Sequence, residues 1–198
     1  MKIVCTSDTH GMHEQMEIPD GDILIHAGDI SESSRPEDYI QFNDYLGTLP
    51  YPHKIVLSGN HDLLYELKYD NLAQLLSNAV YLKHGELRIE NLKIWGSSWQ
   101  PPLFGYQWSQ IPKNIDLLIT HIPPYGILDS TSFGRHLGSK QLLNRIQEVT
   151  PKIHVFGHVH ESYGKEKQVI SGKEVIFMNC TAIKGFGKKM NSVFVLEL

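Results

Sequence analysis

The sequence "CTSDTHG" at residues 5–11 follows the apolar start of the chain and places Asp8 and His10 one residue apart. The residues before it include the β-branched pair Ile3 and Val4, which is typical of a strand buried within a sheet. A buried strand is therefore expected to end by presenting a carboxylate and an imidazole together.

The same arrangement recurs where four further apolar segments end. The polar residues at these ends are Asp29, Asn60, His61, His121, His158 and His160. A single histidine is more often structural than functional, but a series of them at successive strand ends is not expected by chance. The carboxyl ends of strands in an open α/β sheet meet at one rim, and carboxylate, imidazole and amide oxygen suit manganese, iron and zinc. The sequence therefore predicts a site for two divalent metal ions.

The composition argues against several other classes of function. With 198 residues, 41% hydrophobic and 20% charged, the chain is expected to form one domain over residues 1–198. A formal net charge of −4 offers no basic surface for a long nucleic acid or an anionic membrane. No segment resembles a signal peptide or a membrane span, so a cytoplasmic protein is expected. Cys5 and Cys180 lie in apolar segments, which argues against a disulfide framework.

Strand-like segments dominate the chain, and two helical patterns separate them. Helices are predicted at residues 36–49 and at about 139–149, and turns at His84-Gly85 and Glu90-Asn91. Strand-like segments are predicted at residues 2–7, 22–29, 54–62, 80–99, 115–121, 152–160, 168–170, 175–180 and 192–198. This order predicts an α/β fold in which two sheets are covered by outer helices.

The motifs "DTH", "GD", "GNHD", "TH" and "GHVH", in this order, resemble the signature of the calcineurin-like metallophosphoesterases. The stretches "GSSWQPP", "THIPPYG" and "HVFGHVHESYG" further resemble a small single-domain branch of metallophosphoesterase-domain proteins. The resemblance implies a two-sheet β-sandwich flanked by helices, with four layers in the order αββα. It also implies two ligand sets that share Asp29. One set is Asp8, His10, Asp29 and His160, and the other is Asn60, His121, His158 and Asp29.

His61 is the candidate general acid. Its imidazole cannot easily turn to the metals while its neighbour Asn60 does, and Asp62 follows at once, which suggests an imidazole oriented by a carboxylate. Two alternatives remain open. His61 could serve only to stabilise the turn at Gly59, and Asp62 could cap a following helix.

Four residues are candidates for substrate binding. Arg135 and His136 lie in a loop after "THIPPYG", where an arginine could bind a phosphate oxygen. Tyr106 and Trp108 follow two prolines and could form the mouth of a pocket that stacks a nucleobase, whereas Trp99 is expected to pack in the core.

The remaining histidines are given structural roles. His26 and His154 are expected in the core or directly behind the site, whereas His13, His53 and His84 lie near turns and are expected to be solvated.

These residues predict a metal-dependent phosphoesterase that uses two divalent ions, with manganese favoured over iron or zinc, and a hydroxide that bridges them. The resemblance to the branch suggests a phosphodiesterase for small nucleotide-like esters, including cyclic nucleotides. The alternatives are a protein-binding scaffold with little activity, a phosphomonoesterase and a nuclease. The intact "GNHD" argues against a scaffold, and the net charge argues against a nuclease on long strands.

Overall fold

The computed structural model describes residues 1–100, 107–184 and 189–198, which form two β-sheets with helices on their outer faces. The strands are β1 (Lys2–Thr6), β2 (Ile23–His26), β3 (His53–Val56), β4 (Val80–Tyr81), β5 (His84–Ile89), β6 (Leu92–Ser97), β7 (Leu117–Thr120), β8 (Ile153–Phe156), β9 (Gly164–Ile170), β10 (Lys173–Asn179) and β11 (Phe194–Glu197). The helices are α1 (Pro36–Thr48), α2 (Leu63–Tyr69), α3 (Leu72–Leu75) and α4 (Lys140–Val149). Short 3₁₀ turns lie at His13–Gln15, Trp108–Gln110 and His160–Ser162.

The first sheet has the strand order β11-β1-β2-β3-β4. Strands β1 to β4 are parallel to one another, and β11 pairs with β1 in the antiparallel sense. The second sheet has the order β5-β6-β7-β8-β10-β9. Its four inner strands are parallel, and the edge strands β5 and β9 are antiparallel to their neighbours. Both sheets therefore turn the carboxyl ends of several parallel strands toward a shared rim.

Three apolar clusters build the layers. Ile25 of β2 and Ile119 of β7 belong to the cluster between the two sheets. The next residue back on each strand, Leu24 or Leu118, belongs to an outer cluster. Because side chains alternate between the two faces of a strand, both faces of β2 and β7 are buried, and the sequence shows an unbroken apolar run.

The outer clusters attach the helices. Tyr39, Phe42 and Leu46 of α1 pack on the first sheet, while Leu142 and Ile146 of α4 pack on the second. The predicted α/β fold, a two-sheet β-sandwich flanked by helices, is confirmed.

Both predicted helices are present and begin as their sequences indicate. Pro36 lies at the start of α1, with Glu37 and Asp38 in its first turn. Ser139 precedes α4 and its side chain accepts a hydrogen bond from Leu142 N at 3.1 Å. This hydroxyl satisfies one of the N–H groups that a helix start leaves without an intrahelical partner.

Other parts of the secondary structure differ from prediction. The turn at His84-Gly85 is wrong, since both residues belong to β5 and pair with Ser97 and Gly96 of β6. Helices α2 and α3 were not predicted, because the leucines at 64 and 67 face solvent and conceal the apolar period. Strand β9 begins earlier than expected, at Gly164, because its charged residues carry no hydrophobic signal and only its pairing with β10 defines it.

Two further observations concern the cysteines and the helices. Cys5 and Cys180 are free thiols buried in the core. Within the described residues, no helix combines the length and the apolar character needed to cross a bilayer.

Candidate metal centre

The segments that follow β1, β2, β3, β7 and β8 meet at one rim. Backbone hydrogen bonds continue past the strand ends and tie these segments together. Asp8 N donates to Gly28 O at 2.8 Å, and Gly157 N donates to His121 O at 3.0 Å. Ala182 N donates to Ser7 O at 2.7 Å, which joins the two sheets at the rim. The rim is therefore a fixed framework for the polar side chains that it carries.

Four of the predicted metal ligands have a left-handed backbone. The φ angles are 54° at Asp8, 45° at His10, 55° at Asp29 and 74° at His158. Residues other than glycine seldom adopt positive φ, and such residues concentrate at functional sites where the surrounding structure holds them. Here the conformation turns the chain sharply at the end of each strand, which keeps these side chains at the rim.

The first donor group consists of Asp8, His10 and His160, whose donor atoms lie within 4.8 Å of one another. His160 Nε2 is 3.3 Å from Asp8 Oδ1 and 3.4 Å from His10 Nε2. Two imidazole nitrogens and a carboxylate oxygen therefore converge on one point.

The second donor group consists of Asp29, His121 and His158, joined by Asn60. Asn60 Oδ1 lies 3.0 Å from His121 Nε2 and 2.8 Å from His158 Nδ1. Asp29 Oδ2 is 3.4 Å from His121 Nε2. The same Asp29 oxygen is 3.8 Å from His10 Nε2 of the first group, so Asp29 stands between the two groups.

The residues behind the ligands orient the His121 imidazole and contact that of His10. His121 Nδ1 is 2.9 Å from the Ala27 carbonyl, which only accepts hydrogen bonds. The proton therefore lies on Nδ1 in the neutral ring, and the Nε2 lone pair is left for a metal ion that would lie beside Asp29 and Asn60. His10 Nδ1 lies 2.7 Å from the Glu32 carboxylate, but without hydrogen-bond geometry, so this contact does not fix the His10 tautomer.

The buried carboxylates of Asp8 and Asp29 favour positive charge at the site. Asp8 and Asp29 are almost wholly buried. Burial opposes the charged form of Asp8, yet its contacts with His160 and His121 hold its pKa well below the usual range. Burial also opposes the charged form of His121, but Asp29 and Asp8 raise its pKa to about 9. Divalent cations would supply this charge, and the nitrogen and oxygen donors suit them, so the residues present fit a metal site.

Two glycines make room for the carboxylates. A Cβ at Gly59 would collide with the Asp29 carboxylate, and a Cβ at Gly157 would collide with the Asp8 carboxylate. These positions require glycine because of close approach to the site.

His61 lies beside the first donor group. Its ring is 4.7 Å from the His10 ring and nearly perpendicular to it, and its backbone N–H donates to Asp29 Oδ1 at 2.8 Å. Its Nδ1 is 3.1 Å from the Glu32 carbonyl. Glu32 thus contacts both imidazoles, and sequence reasoning missed it, although it stands three residues after Asp29 in "GDISE".

The prediction that Asp62 orients the His61 imidazole is wrong. Asp62 is buried, and its carboxylate accepts hydrogen bonds from the backbone N–H groups of Gly59, Ile30 and Ser31 and from the Tyr39 hydroxyl. Burial and the neighbouring Asp29 raise the pKa of Asp62 to about 7. Asp62 occupies the N-cap position of α2, but its side chain does not cap the helix. These bonds hold the loops after β2 and β3 together instead.

Arg135 and His136 lie in an exposed hairpin at residues 130–136. His136 Nδ1 is 2.7 Å from the Asp129 carboxylate, and its ring is 5.1 Å from that of Tyr125. Ser162 Oγ donates to Ser130 O at 2.7 Å, which places the hairpin against the His160–Ser162 turn. Both candidates for substrate binding are thus on a segment beside the rim.

The aromatic residues Trp108, Tyr106 and Trp99 have different outcomes. Trp108 was expected at the pocket mouth, but its 3₁₀ turn packs against α4, and its ring is buried among residues such as Ile111 and Leu142. That prediction is wrong. Tyr106 lies outside the described residues. Trp99 packs partly in the core as expected, and its ring is also 5.1 Å from that of His158.

Of the histidines given structural roles, His26 and His154 are buried and His53 is exposed, as expected. His84 is half-buried. The expectation of a solvated His13 is wrong, because its ring packs 5.2 Å from Phe42 and 5.0 Å from Tyr45.

The sequence of this chain is similar to those of several known proteins. The Homo sapiens protein named metallophosphoesterase domain-containing protein 1 is 34% identical over 234 residues, which cover 100% of this chain and 71% of that protein. A UPF0046 protein of Caenorhabditis elegans is 38% identical and is matched over 90% of this chain and 74% of its own length. A 3′,5′-cyclic-nucleotide phosphodiesterase of Nostoc is 26% identical over 75% of this chain and 59% of its own length.

A solved structure described as a novel archaeal phosphodiesterase has the same fold, with a TM-score of 0.53 and 18% identity. The match covers 100% of this chain and 93% of the archaeal chain. A family model for the calcineurin-like phosphoesterases matches residues 1–162, a range that contains every donor residue described above. On this evidence, the chain belongs to the calcineurin-like phosphoesterase family.

Proposed function

We propose that the protein is a metal-dependent phosphodiesterase that holds two divalent ions, preferably manganese, and hydrolyses small nucleotide-like esters, cyclic nucleotides among them. The observation that carries this proposal is the pair of donor groups that share Asp29. Similarity to proteins named as a cyclic-nucleotide phosphodiesterase and an archaeal phosphodiesterase supports a diester substrate.

Each donor group would hold one ion. Asp8, His10 and His160 would hold the first, Asn60, His121 and His158 would hold the second, and Asp29 would be shared. Their imidazole nitrogens favour manganese, iron or zinc over magnesium. When bound, two such ions supply an activated water molecule and positive charge for the phosphoryl group.

His61 is the proposed general acid. The Glu32 carbonyl accepts from Nδ1, so the protonated ring keeps Nε2–H for a departing oxygen. The ring is partly exposed and lies next to His10. This position would allow it to reach a substrate bound at the rim.

Arg135 and His136 are the proposed contacts to substrate. Arg135 is exposed on the hairpin beside the His160–Ser162 turn, where a guanidinium can bind a phosphate oxygen outside the donor groups. The formal net charge of −4 supports a small substrate over a long nucleic acid. We propose the cytoplasm as the site of action.

The test begins with protein stripped by a chelator. Hydrolysis of an activated aryl phosphodiester is expected to disappear and to return with manganese more fully than with magnesium. Asp29→Asn is expected to lower the content of both ions, because it removes a charge that both share. Asp44→Asn is the matched control, since Asp44 is exposed on α1. Full activity in chelator, or two tightly held ions in Asp29→Asn, would contradict the proposal.

A panel of phosphomonoesters, linear diesters and cyclic nucleotides then tests the preference for diesters. If the loaded protein holds two ions and hydrolyses no member of the panel, the scaffold alternative replaces the proposal.

A further inference from the structure

The hairpin at residues 130–136 displays an apolar side chain almost entirely to solvent. Phe133 is 94% exposed, compared with 74% for Val169 on the edge strand β9. A single exposed apolar residue is ordinary in itself. Phe133 differs because it stands on a hydrogen-bonded hairpin beside the His160–Ser162 turn.

The hairpin is held in a fixed shape by its own hydrogen bonds. Thr131 N donates to Arg135 O at 2.9 Å, and Gly134 N donates to Thr131 O at 2.9 Å. At its base, the buried Asp129 carboxylate accepts from Gly126 N and Gly138 N, each at 3.0 Å. Phe133 therefore lies on a turn whose backbone is fixed by hydrogen bonds.

This turn lies directly beside a proposed metal ligand. Ser132 Oγ is 3.5 Å from the Glu161 carboxylate, so Phe133 and His160 are each one residue away from this contact. Asn179 Nδ2 donates to Leu128 O at 3.0 Å and to Val159 O at 2.9 Å, which connects the segment before the hairpin to the residue before His160. The hairpin that bears the exposed ring is thus attached to the same turn that carries a donor of the first group.

The metal-donor residues and the neighbouring hairpin match the two ends of a nucleotide, its phosphate and its base. The donor groups and Arg135 suit a phosphoryl group, and the exposed aromatic face of Phe133 suits a base. From this we infer that Phe133 stacks the nucleobase of the ester whose phosphorus lies at the donor groups. The inference rests on the proposed function and adds a specificity-determining residue to it.

Stacking on one phenyl ring carries no hydrogen-bond readout of the base. Every base offers a π face, so the contact favours nucleotide esters over esters without a base and discriminates weakly among the bases.

The test compares two diesters with the same leaving group, the p-nitrophenyl ester of thymidine 5′-monophosphate and p-nitrophenyl ethyl phosphate. The readout is the ratio of kcat/KM for the nucleotide ester to that for the ethyl ester, in manganese-loaded protein.

Phe133→Ala is expected to lower this ratio by roughly 5- to 100-fold, mainly through KM, because it removes one stacked base. Phe133→Tyr is expected to restore the ratio. Val169→Ala is the matched control, since it removes another exposed apolar side chain near the far end of β9. A ratio that Phe133→Ala leaves unchanged would overturn the inference.

A second measurement separates this inference from the proposed function. If wild-type protein hydrolyses neither ester, the proposed function has failed, and binding is measured by tryptophan fluorescence of Phe133→Trp. Quenching by adenosine 5′-monophosphate but not by ribose 5-phosphate would support base stacking without turnover. Equal responses to both compounds would overturn it.

Discussion

His61, the proposed general acid, is the residue at which its own contribution can be separated from that of the proposed metal ions. Because Asn60 joins the second donor group, and His61 belongs to neither of the two groups that share Asp29, His61→Gln is expected to keep both ions. A ribose alkoxide needs a proton as it leaves, whereas a nitrophenolate leaves readily as an anion. We expect His61→Gln to lose roughly 10² to 10⁴ in rate on a nucleotide ester and clearly less on an activated aryl ester.

The metal content of each His61→Gln sample must be measured alongside the rates, since lost metal would imitate a lost acid. Equal losses on the two esters with metals retained would show that His61 positions the substrate instead.

His154 gives a prediction about acid stability. The Thr120 hydroxyl is 2.7 Å from Ile122 O and 2.8 Å from His154 Nε2. Since the single hydroxyl proton goes to the carbonyl, His154 donates from Nε2, and its buried Nδ1 finds no hydrogen-bond partner in the described part of the chain. Burial accordingly lowers the pKa of His154 to about 3.

The unfolded chain takes up this proton near pH 6.5, whereas the folded chain takes it up only near pH 3. Stability is therefore full above pH 6.5 and is lost as the pH falls toward 3. Between pH 7 and pH 5, we expect wild type to lose about 2 kcal/mol more of its free energy of unfolding than His154→Gln loses. Urea unfolding in the presence of chelator measures this. Parallel pH profiles would contradict the assignment.

Among single residues, the sequence predicts best where a side chain's role follows from its own type and position. The donor residues are recognisable because carboxylate, imidazole and amide groups follow apolar runs. The contacts of Asp62 and the burial of Trp108 were not predictable in this way. Both depend on partners from elements distant in sequence, such as Tyr39 on α1 and Leu142 on α4.

Among the helices and strands, Asp62 links α1 to the loops after β2 and β3. An asparagine in its place would put an amide N–H₂ group where the wild-type carboxylate faces four donors. Asp62→Asn is therefore expected to lower the free energy of unfolding by about 2 to 4 kcal/mol and to loosen metal binding. Tyr39→Phe, which removes a single one of these bonds, is expected to cost about 1 kcal/mol.

Chemical unfolding of both Asp62→Asn and Tyr39→Phe, with metal titration of the folded proteins, checks this difference. If the two variants lose the same stability, the carboxylate does not act as the link between these loops.

The elements themselves were predictable in proportion to their burial. Strands β2 and β7 are apolar on both faces, so their sequences mark them. Strand β9 and helix α2 are polar or solvent-facing along much of their length, and only pairing or packing with neighbours defines them. Local pattern is informative where the core determines it and weak elsewhere.

Across the protein as a whole, the donor residues come from both sheets. Asp8, Asp29 and Asn60 follow strands of the first sheet, and His121, His158 and His160 follow strands of the second. Bound metal would therefore link the two halves of the sandwich, and unfolding would have to release it.

Manganese is accordingly expected to raise the Tm of stripped protein as its concentration rises. The stabilisation is about 2.7 kcal/mol at a metal concentration about one hundred times Kd. Calorimetry across a manganese series measures it, with Asp29→Asn as the comparison that should respond weakly. A Tm independent of manganese would show that the metal does not bind the folded state preferentially.

The left-handed backbone at Asp8, His10, Asp29 and His158 has a consequence for how this rim can be dissected by mutation. Alanine disfavours positive φ, whereas asparagine and aspartate tolerate it comparatively well. An alanine scan of these four positions would change backbone preference and donor chemistry at once, and a lost ion could not be attributed to either. Asparagine is the informative replacement at the two aspartates, because it alters the charge and leaves the local conformation accessible. At the two histidines, a matched pair of glycine and alanine variants, neither of which offers a donor atom, would measure how much of the metal affinity the chain conformation itself provides.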